Sequence, residues 1–412
     1  MRATGKSVVS AGAGCIHKKC TCIEETGLSS HEGTRVSPRK PPKMRVLALC
    51  PAPLDRYPAQ RFRIEQWAPG LRALGVDLQF ESFMSPELHG ALYEPGRYTA
   101  KAAWLFEALL RRARRLGRVN QFDLVYVLRE TSLLGPAVFE RWLGIKNVPF
   151  VFDFDDAIFL PNSSRANRFF GFLKFPGKTA TACRLAAHVM AGNDYLADYA
   201  RQFNRYVTVV PTTIDVDKYR PTEPRWESAK PRLVWTGSPS TAPYLESLHG
   251  ALLRLQKYCD FQLRVIGAPQ ASLPGLEVER LPWHAASEAS DLQGAWAGLM
   301  PVPDDAWARG KCGCKALQYM AMGLPAVCSP VGMNARLVRD GENGFLASSE
   351  EEWVEKLRIL FKSADLRRRI GQSGRQTVEA WYSAEIQVPR VYDVFASTLK
   401  DSARRSNQVT PV

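Results

Sequence analysis

From Met44 onward, short apolar runs alternate with stretches in which apolar residues recur every three or four positions, the periods of strand and helix. Residues 45–49, 74–80, 124–127, 150–154, 188–191 and 207–210 read as strands with helices between them. Strands that are apolar on both faces and separated by helices predict a mostly parallel sheet covered on both sides. A charged, Pro-rich stretch at 218–231 interrupts the rhythm as a linker would. The alternation restarts with strands at 233–236, 262–266, 276–280, 298–302 and 326–328, followed by helices at 351–361, 366–381 and 384–400. The pattern therefore predicts a first α/β domain at 44–217, a linker at 218–231, a second α/β domain at 232–383, a final helix at 384–400 and a disordered tail at 401–412. Open α/β domains bind nucleotides at the carboxyl edges of their strands, where helices begin.

The first 43 residues read differently, with eight Lys or Arg against three Glu and almost no large apolar side chain. Such a leader cannot build a core and is expected to be disordered, with Met44 a natural starting point for the folded chain. Its Cys15, His17, Cys20, Cys22 and His31 match no standard finger spacing, so an inert tail is expected ahead of a zinc site. The other six cysteines are scattered or stand as Cys312-Gly-Cys314, which suits a reducing, cytoplasmic compartment.

At 412 residues and 45% hydrophobic, the chain exceeds one ordinary core, which agrees with two domains. No run reaches the roughly eighteen apolar residues of a membrane span. A formal charge of +14 invites phosphate-bearing partners, whether nucleotide, nucleic acid or anionic membrane. Nucleic acid is the weakest of these, because the basic residues lack interleaved aromatics or a known reader motif.

The most informative segment is Arg309-Gly-Lys-Cys-Gly-Cys-Lys, followed by Ala316-Leu-Gln-Tyr-Met-Ala-Met-Gly-Leu-Pro and then Ser329-Pro-Val-Gly-Met-Asn. Glycines before a helix present free backbone N–H groups, and Lys311 and Lys315, four apart, are expected on one helical side to cradle a diphosphate. A solvated basic helix start is the plainer alternative. This segment resembles the C-terminal signature of glycosyltransferase family 4, retaining enzymes of the GT-B fold, in which two glutamates stand eight positions apart before Ala-Met-Ala-x-Gly-x-Pro. The resemblance spans most of 44–400. On it the ribose-holding second glutamate falls on Gln318 and the first falls on Gly310, so neither is a carboxylate here.

Weaker matches follow the family's order: Trp235-Thr-Gly-Ser-Pro-Ser-Thr at the diphosphate loop, Ile266-Gly and Leu281-Pro-Trp283 at the base pocket, and Val210-Pro-Thr-Thr-Ile-Asp before the link. The resemblance implies two Rossmann-like doubly wound domains facing across a cleft, with the last helix returning to the first. It implies Gly237, Ser238, Gly267, Trp283, Lys311, Lys315, Gln318 and Gly332 on the donor side, and a metal-independent reaction that retains the anomeric configuration. No cofactor is expected beyond the nucleotide-diphosphate sugar itself.

In the first domain, Val151-Phe-Asp-Phe-Asp-Asp ends an apolar strand with Asp153, Asp155 and Asp156, three acids that repel one another unless something compensates them. A phosphatase-like nucleophile should open its domain, whereas strands precede it here, and the second α/β domain and the Lys311 segment oppose a metal-binding Asp-x-Asp; structural capping by the acids is the plainer alternative. The resemblance favours Asp155 and Asp156 where the family places a His-Asp pair against the donor sugar, and with Lys311 they form the expected catalytic set. Arg61 and Arg63 follow the first strand and are expected on the acceptor or phosphate side of the cleft. The run Trp104-Leu-Phe-Glu-Ala-Leu-Leu-Arg-Arg-Ala-Arg-Arg-Leu-Gly-Arg reads first as a core helix with a charged outer side, and second as a helix for an anionic membrane face. Phe169-Phe-Gly-Phe-Leu-Lys-Phe is an acceptor or lipid contact, or packing. The expected partners are a nucleotide-sugar donor, a glycan or lipid-linked acceptor and a peripheral membrane contact. A non-catalytic nucleotide-sugar-binding protein on the same scaffold is the main alternative.

Overall fold

The computed structural model describes residues 44–92, 94, 96–161, 175, 177–221 and 230–408. The leader with its Cys and His residues, most of the aromatic run at 169–175, most of the linker and the last four residues lie outside them.

The first half carries β1 (Met44–Cys50), α1 (Pro58–Gln60), a π-turn (Arg61–Glu65), α2 (Gln66–Ala73), β2 (Val76–Ser82), α3 (Pro86–Ala91) and α4 (Tyr98–Gly117). It continues with β3 (Leu124–Leu128), α5 (Val138–Ile145), β4 (Phe150–Phe154), α6 (Gly177–Leu185), β5 (His188–Ala191), α7 (Asp194–Arg201) and β6 (Val207–Val209). Its six strands pair in parallel in the order β2-β1-β3-β4-β5-β6. The order reverses after β1, so a crevice opens beyond the carboxyl ends of β1 and β3.

The second half carries β7 (Arg232–Thr236), α8 (Ala242–Glu246), α9 (His249–Gln256), β8 (Gln262–Ile266), β9 (Val278–Leu281), β10 (Ala297–Met300) and α10 (Ala306–Arg309). There follow α11 (Cys314–Ala321), β11 (Ala326–Cys328), α12 (Met333–Leu337), β12 (Phe345–Leu346), α13 (Glu350–Lys362), α14 (Ala364–Trp381) and α15 (Ala384–Gln408). Its parallel order is β12-β11-β10-β7-β8-β9. Both sheets have the doubly wound architecture expected. The two-residue β12 is too short to show a period, and it is the strand absent from the pattern.

The strands are buried through their lengths because helices cover both faces: β3 and β4 are closed at every position. Val388, Val391, Val394 and Phe395 of α15 join the core of the first sheet, and Val388 lies so close to α2 that a Cβ on Gly70 would stand 2.9 Å from it. The last helix thus packs on the half that holds β1. The helix continues to Gln408 rather than stopping at Lys400, because 401–408 contain neither Gly nor Pro and nothing breaks the ladder.

Candidate functional site

On the second half, Tyr319 of α11 reaches under the sheet, where its hydroxyl accepts from the Thr236 N–H (3.0 Å) and donates to the Leu299 carbonyl (3.2 Å). One buried phenol therefore fixes α11 against the end of β7 and the turn that follows. In that turn Gly237 is required by close approach, since a Cβ would stand 2.7 Å from Thr241 Oγ1 and against the Trp235 ring. The Gly237 N–H donates to Ile266 O and the Ser238 N–H to Thr241 Oγ1, as part of a capping box. These two backbone donors, expected to hold a diphosphate, are already used within the turn. It offers the exposed hydroxyls of Ser238 and Ser240 instead, 2.8 Å apart.

Lys315 projects from the first turn of α11 to the same place. Its ammonium is 3.4 Å from Thr241 Oγ1 and 4.7 Å from the Trp235 ring centre. Burial, and secondarily the charge of Lys311, push its pKa down to about 7. Lys311 is not on the helix: Gly313, left-handed at φ 71°, stands as the N-cap, so Lys311 lies in the preceding loop with its ammonium 5.7 Å from the Trp307 ring. The expected helical neighbours are brought together by a turn instead. Among the described residues neither ammonium has a carboxylate partner.

Gln318 is buried, and its amide donates to the Tyr219 hydroxyl (2.7 Å), which lies beside Glu288. Gly267, at φ 83°, abuts the Gly237 carbonyl and the Trp283 Cβ, so these three expected donor residues converge. Gly332 packs on the Arg309 carbonyl, one loop away.

On the first half the three acids are compensated from within. Asp153 is fully buried and receives Nε and Nη2 of Arg63, both at 2.6 Å, together with the Tyr126 hydroxyl. Arg63, expected in the cleft, is therefore an interior residue. The irregular π-turn directs it inward, where Val210 O accepts its third bond at 2.8 Å. Asp155 accepts from Arg129 Nε at 2.6 Å, and Arg129 also donates to the Tyr57 hydroxyl at 2.7 Å. Burial alone would raise the Asp155 carboxyl, but Arg129 outweighs it and holds the group below the usual carboxylate range. Arg129 sits at φ 59°, a left-handed conformation uncommon for a long side chain and characteristic of constrained sites. Asp156 turns to its own chain, accepting from the Ala157 N–H at 3.1 Å, with Arg129 Nη2 at 3.7 Å. Tyr244 of α8 feels its charge and that of Asp305, and with burial as the larger cause its phenol is raised.

The two halves meet along these same loops. A Cβ at Gly310 would stand 2.6 Å from that of Ala157, and one at Gly192 would strike Cys312 Sγ. The Asn193 amide donates to the carbonyls of Gly310 and Lys311 (both 3.1 Å) and reaches that of Arg309 (3.4 Å). Arg61, expected to face phosphate, instead crosses to the second half. It is buried between Glu288, to which it makes two bonds, and the Trp283 ring at 5.2 Å. Lys218 completes the cluster on Glu288 at 2.7 Å. Burial would raise Glu288, yet Arg61 and Lys218 bring it below its ordinary value. The structure thus joins the turn at 237–241, Gly267, Trp283, Lys311, Lys315 and Gln318 on one wall, sets Asp155 and Asp156 on the other, and withdraws Arg61 and Arg63 from solvent. Arg129, Asn193, Tyr219, Tyr244 and Glu288 were absent from the expected set. Arg129 carries a signal, a charged residue directly after an apolar strand, whereas Glu288 sits in a loop without periodicity.

Residues 230–363 match the family model for glycosyl transferases group 1. No curated protein sequence matches the chain. Among solved structures, sucrose-phosphate synthase from Thermosynechococcus elongatus is 15% identical, with a TM-score of 0.65 over 87% of this chain and 100% of that one. Anabaena HepE in complex with UDP and glucose is 15% identical, with a TM-score of 0.62 over 86% of this chain and 100% of that one. A glycosyltransferase from Rickettsia africae is 14% identical, with a TM-score of 0.60 over 87% and 99% of the two chains. At these identities the likeness establishes the fold. The chain is a GT-B protein of two Rossmann-like halves, and its second half is similar to glycosyl transferases of group 1.

Proposed function

We propose that the protein is a glycosyltransferase that moves a sugar from a nucleotide-diphosphate donor to a glycan or lipid-linked acceptor. The observation that carries this reading is Lys315, a half-buried ammonium set against an indole and a hydroxyl, with the charge of Lys311 bearing on it and no acid among the described residues to neutralise either. A site built so is short of an anion. A diphosphate beside the hydroxyls of Ser238 and Ser240 supplies it, and as the glycosidic bond breaks the leaving group gains charge that both lysines stabilise. The match to group 1 transferases covers these residues, and HepE holds UDP and glucose on the same fold.

Gln318 and Trp283 are assigned to the ribose and base side, and Asp156 to the donor sugar or acceptor hydroxyl. Asp155 acts through Arg129, which it orients. The reaction is read as retaining and metal-independent; Arg63 and Arg129 support the second point, because they already balance the acids that a divalent cation would otherwise serve.

A non-catalytic nucleotide-sugar-binding protein is the second reading, favoured by Gly310, where Ala157 leaves no room for an acidic side chain. Thermal shifts with UDP, GDP and ADP identify the base, since a ligand of the native state raises Tm. Sugar release from the corresponding nucleotide sugars then decides between the readings: binding without turnover, with or without acceptor lipid and glycan, favours the second.

A further inference from the structure

The Arg-rich helix α4 does not present its arginines as a basic outer face. Arg112 is buried beside Glu81 and the Cys50 carbonyl, Arg115 binds Gln79 and Glu81, and Arg111 donates to the Phe83 carbonyl at 2.6 Å. Three of the five are thus committed to the sheet edge at β2. The outward side of α4 is mostly apolar instead, with Ala102, Ala103, Leu110 and Ala113 exposed and Phe106 63% exposed, beside the exposed Thr99, Glu107 and Arg114. Beside it α5, packed on α4, repeats the inversion: Val138 (54%), Trp142 (43%) and Ile145 (77%) are exposed at i, i+4 and i+7. On a helix of a water-exposed surface those positions should be polar. Two adjacent helices with large apolar residues turned outward mark an interaction surface.

The charges around it identify the partner. Arg97, Arg114, Arg118, Arg141 and Lys146 are exposed on or beside the two helices, and Lys101 is half-exposed. Of the two acids on α4 and α5, Glu107 is exposed and Glu140 is buried. We propose that the α4–α5 face docks on an anionic lipid bilayer, with Phe106, Leu110, Val138, Trp142 and Ile145 entering the boundary between headgroups and acyl chains and the flanking cations meeting anionic headgroups. A second copy of the chain fits less well, because the contact would bring cations onto cations in a protein already carrying +14. Both helices begin at the carboxyl edge of the parallel sheet, the edge that carries Arg129 and Asp155, so the docked face reaches the rim of the cleft. That placement would bring a lipid-linked acceptor to the site, although the docking itself does not depend on the transfer reading.

The test is co-sedimentation of the full chain with vesicles of phosphatidylcholine alone and of phosphatidylcholine with phosphatidylglycerol. The wild type should bind the anionic vesicles, and the pairs Trp142→Ser with Ile145→Ser and Phe106→Ser with Leu110→Ser should each lower the partition coefficient at least about tenfold, with Tm and nucleotide affinity unchanged. Arg141→Ser with Lys146→Ser should weaken binding about tenfold or more on the anionic vesicles and little on neutral ones. The proposal is overturned if the chain binds neither vesicle, or if both apolar pairs leave anionic binding intact. It is also overturned if sedimentation equilibrium shows that the pairs dissolve a dimer of a protein that ignores vesicles. Nucleotide titration on the second half reads the donor site separately, so either conclusion can fail alone.

Discussion

On the proposed function Lys315 is the main anion contact of the second half, and two consequences follow at that scale. Each charge-assisted contact to a diphosphate is worth about 1.5–3 kcal/mol, so Lys315→Ala and Lys311→Ala should each weaken nucleotide-diphosphate binding roughly ten- to a hundredfold. Gln318→Ala removes a neutral contact worth about 1 kcal/mol and should cost about fivefold. Titration at fixed salt ranks the three, and wild-type affinity in both lysine variants would withdraw the donor assignment. The second consequence concerns pH. Burial and Lys311 place the free Lys315 near 7, whereas a bound diphosphate favours its charged form and raises its pKa. Below about pH 7 the ammonium is charged before the ligand arrives; above it, binding must draw a proton from solvent. Affinity should therefore fall by up to about tenfold per pH unit from 7 toward the pKa of the complex. Calorimetry at pH 8 in buffers of different ionisation enthalpy should record proton uptake approaching one per nucleotide. The folding contribution runs the opposite way with pH: with its folded pKa depressed, Lys315 adds stability above its unfolded value near 10.5 and loses it as pH falls to about 7. On the proposed function a bound diphosphate offsets this cost at neutral pH.

At the scale of elements, the strands were legible because a parallel sheet buried on both faces writes itself as uninterrupted apolar runs, as in Leu124–Leu128 and Phe150–Phe154. The helix start after Gly313 was legible because a helix following a small-residue loop is a local feature, although Lys311 lies in that loop rather than on the helix. What local pattern cannot carry is direction and long-range pairing. Arg61 and Arg63 are two residues apart and look alike in sequence, yet one reaches Glu288 across 227 positions and the other Asp153 across 90. The identity of each partner was settled by a π-turn that no periodicity announces. Tyr319 illustrates the same point from within the motif that was read. Adjacent to Gln318, it is not a ligand contact but the bolt between α11 and the end of β7. Tyr319→Phe keeps the packing against Gly298 and leaves the Thr236 N–H and the Leu299 carbonyl with one partner fewer, at a cost of about 1–3 kcal/mol. A lower denaturant midpoint with unchanged m-value is the expected readout, with weaker nucleotide binding because the turn at 237–241 loses its register with Lys315.

Across the whole molecule, the two halves are tied by contacts that belong to neither alone, and on the proposed function these bear on whether donor binding becomes transfer. The Asn193 amide gathers the carbonyls that end α10, while its side-chain oxygen caps α7 by accepting from the Leu196 N–H at 2.9 Å. Asn193→Asp separates these roles: the carboxylate still caps α7, and its charge suits a helix N-terminus, but it can no longer donate and it repels the carbonyls of 309–311. The first half should therefore stay folded, while the loop carrying Lys311 loses its hold on the end of β5. Nucleotide affinity, which rests mainly on Lys315 and the turn at 237–241, should change less than in Lys315→Ala. On the proposed function, which sets Asp156 against the donor sugar across the cleft, the transfer rate should fall about tenfold or more for a loss of about 1.4 kcal/mol or more in that arrangement. Comparing turnover with nucleotide Kd in the two variants separates the effects: Lys315→Ala should lose binding first and Asn193→Asp turnover first. If Asn193→Asp turned over at the wild-type rate, the cross-tie would be packing alone and closure would have to be assigned to the pair formed by Arg61 and Glu288.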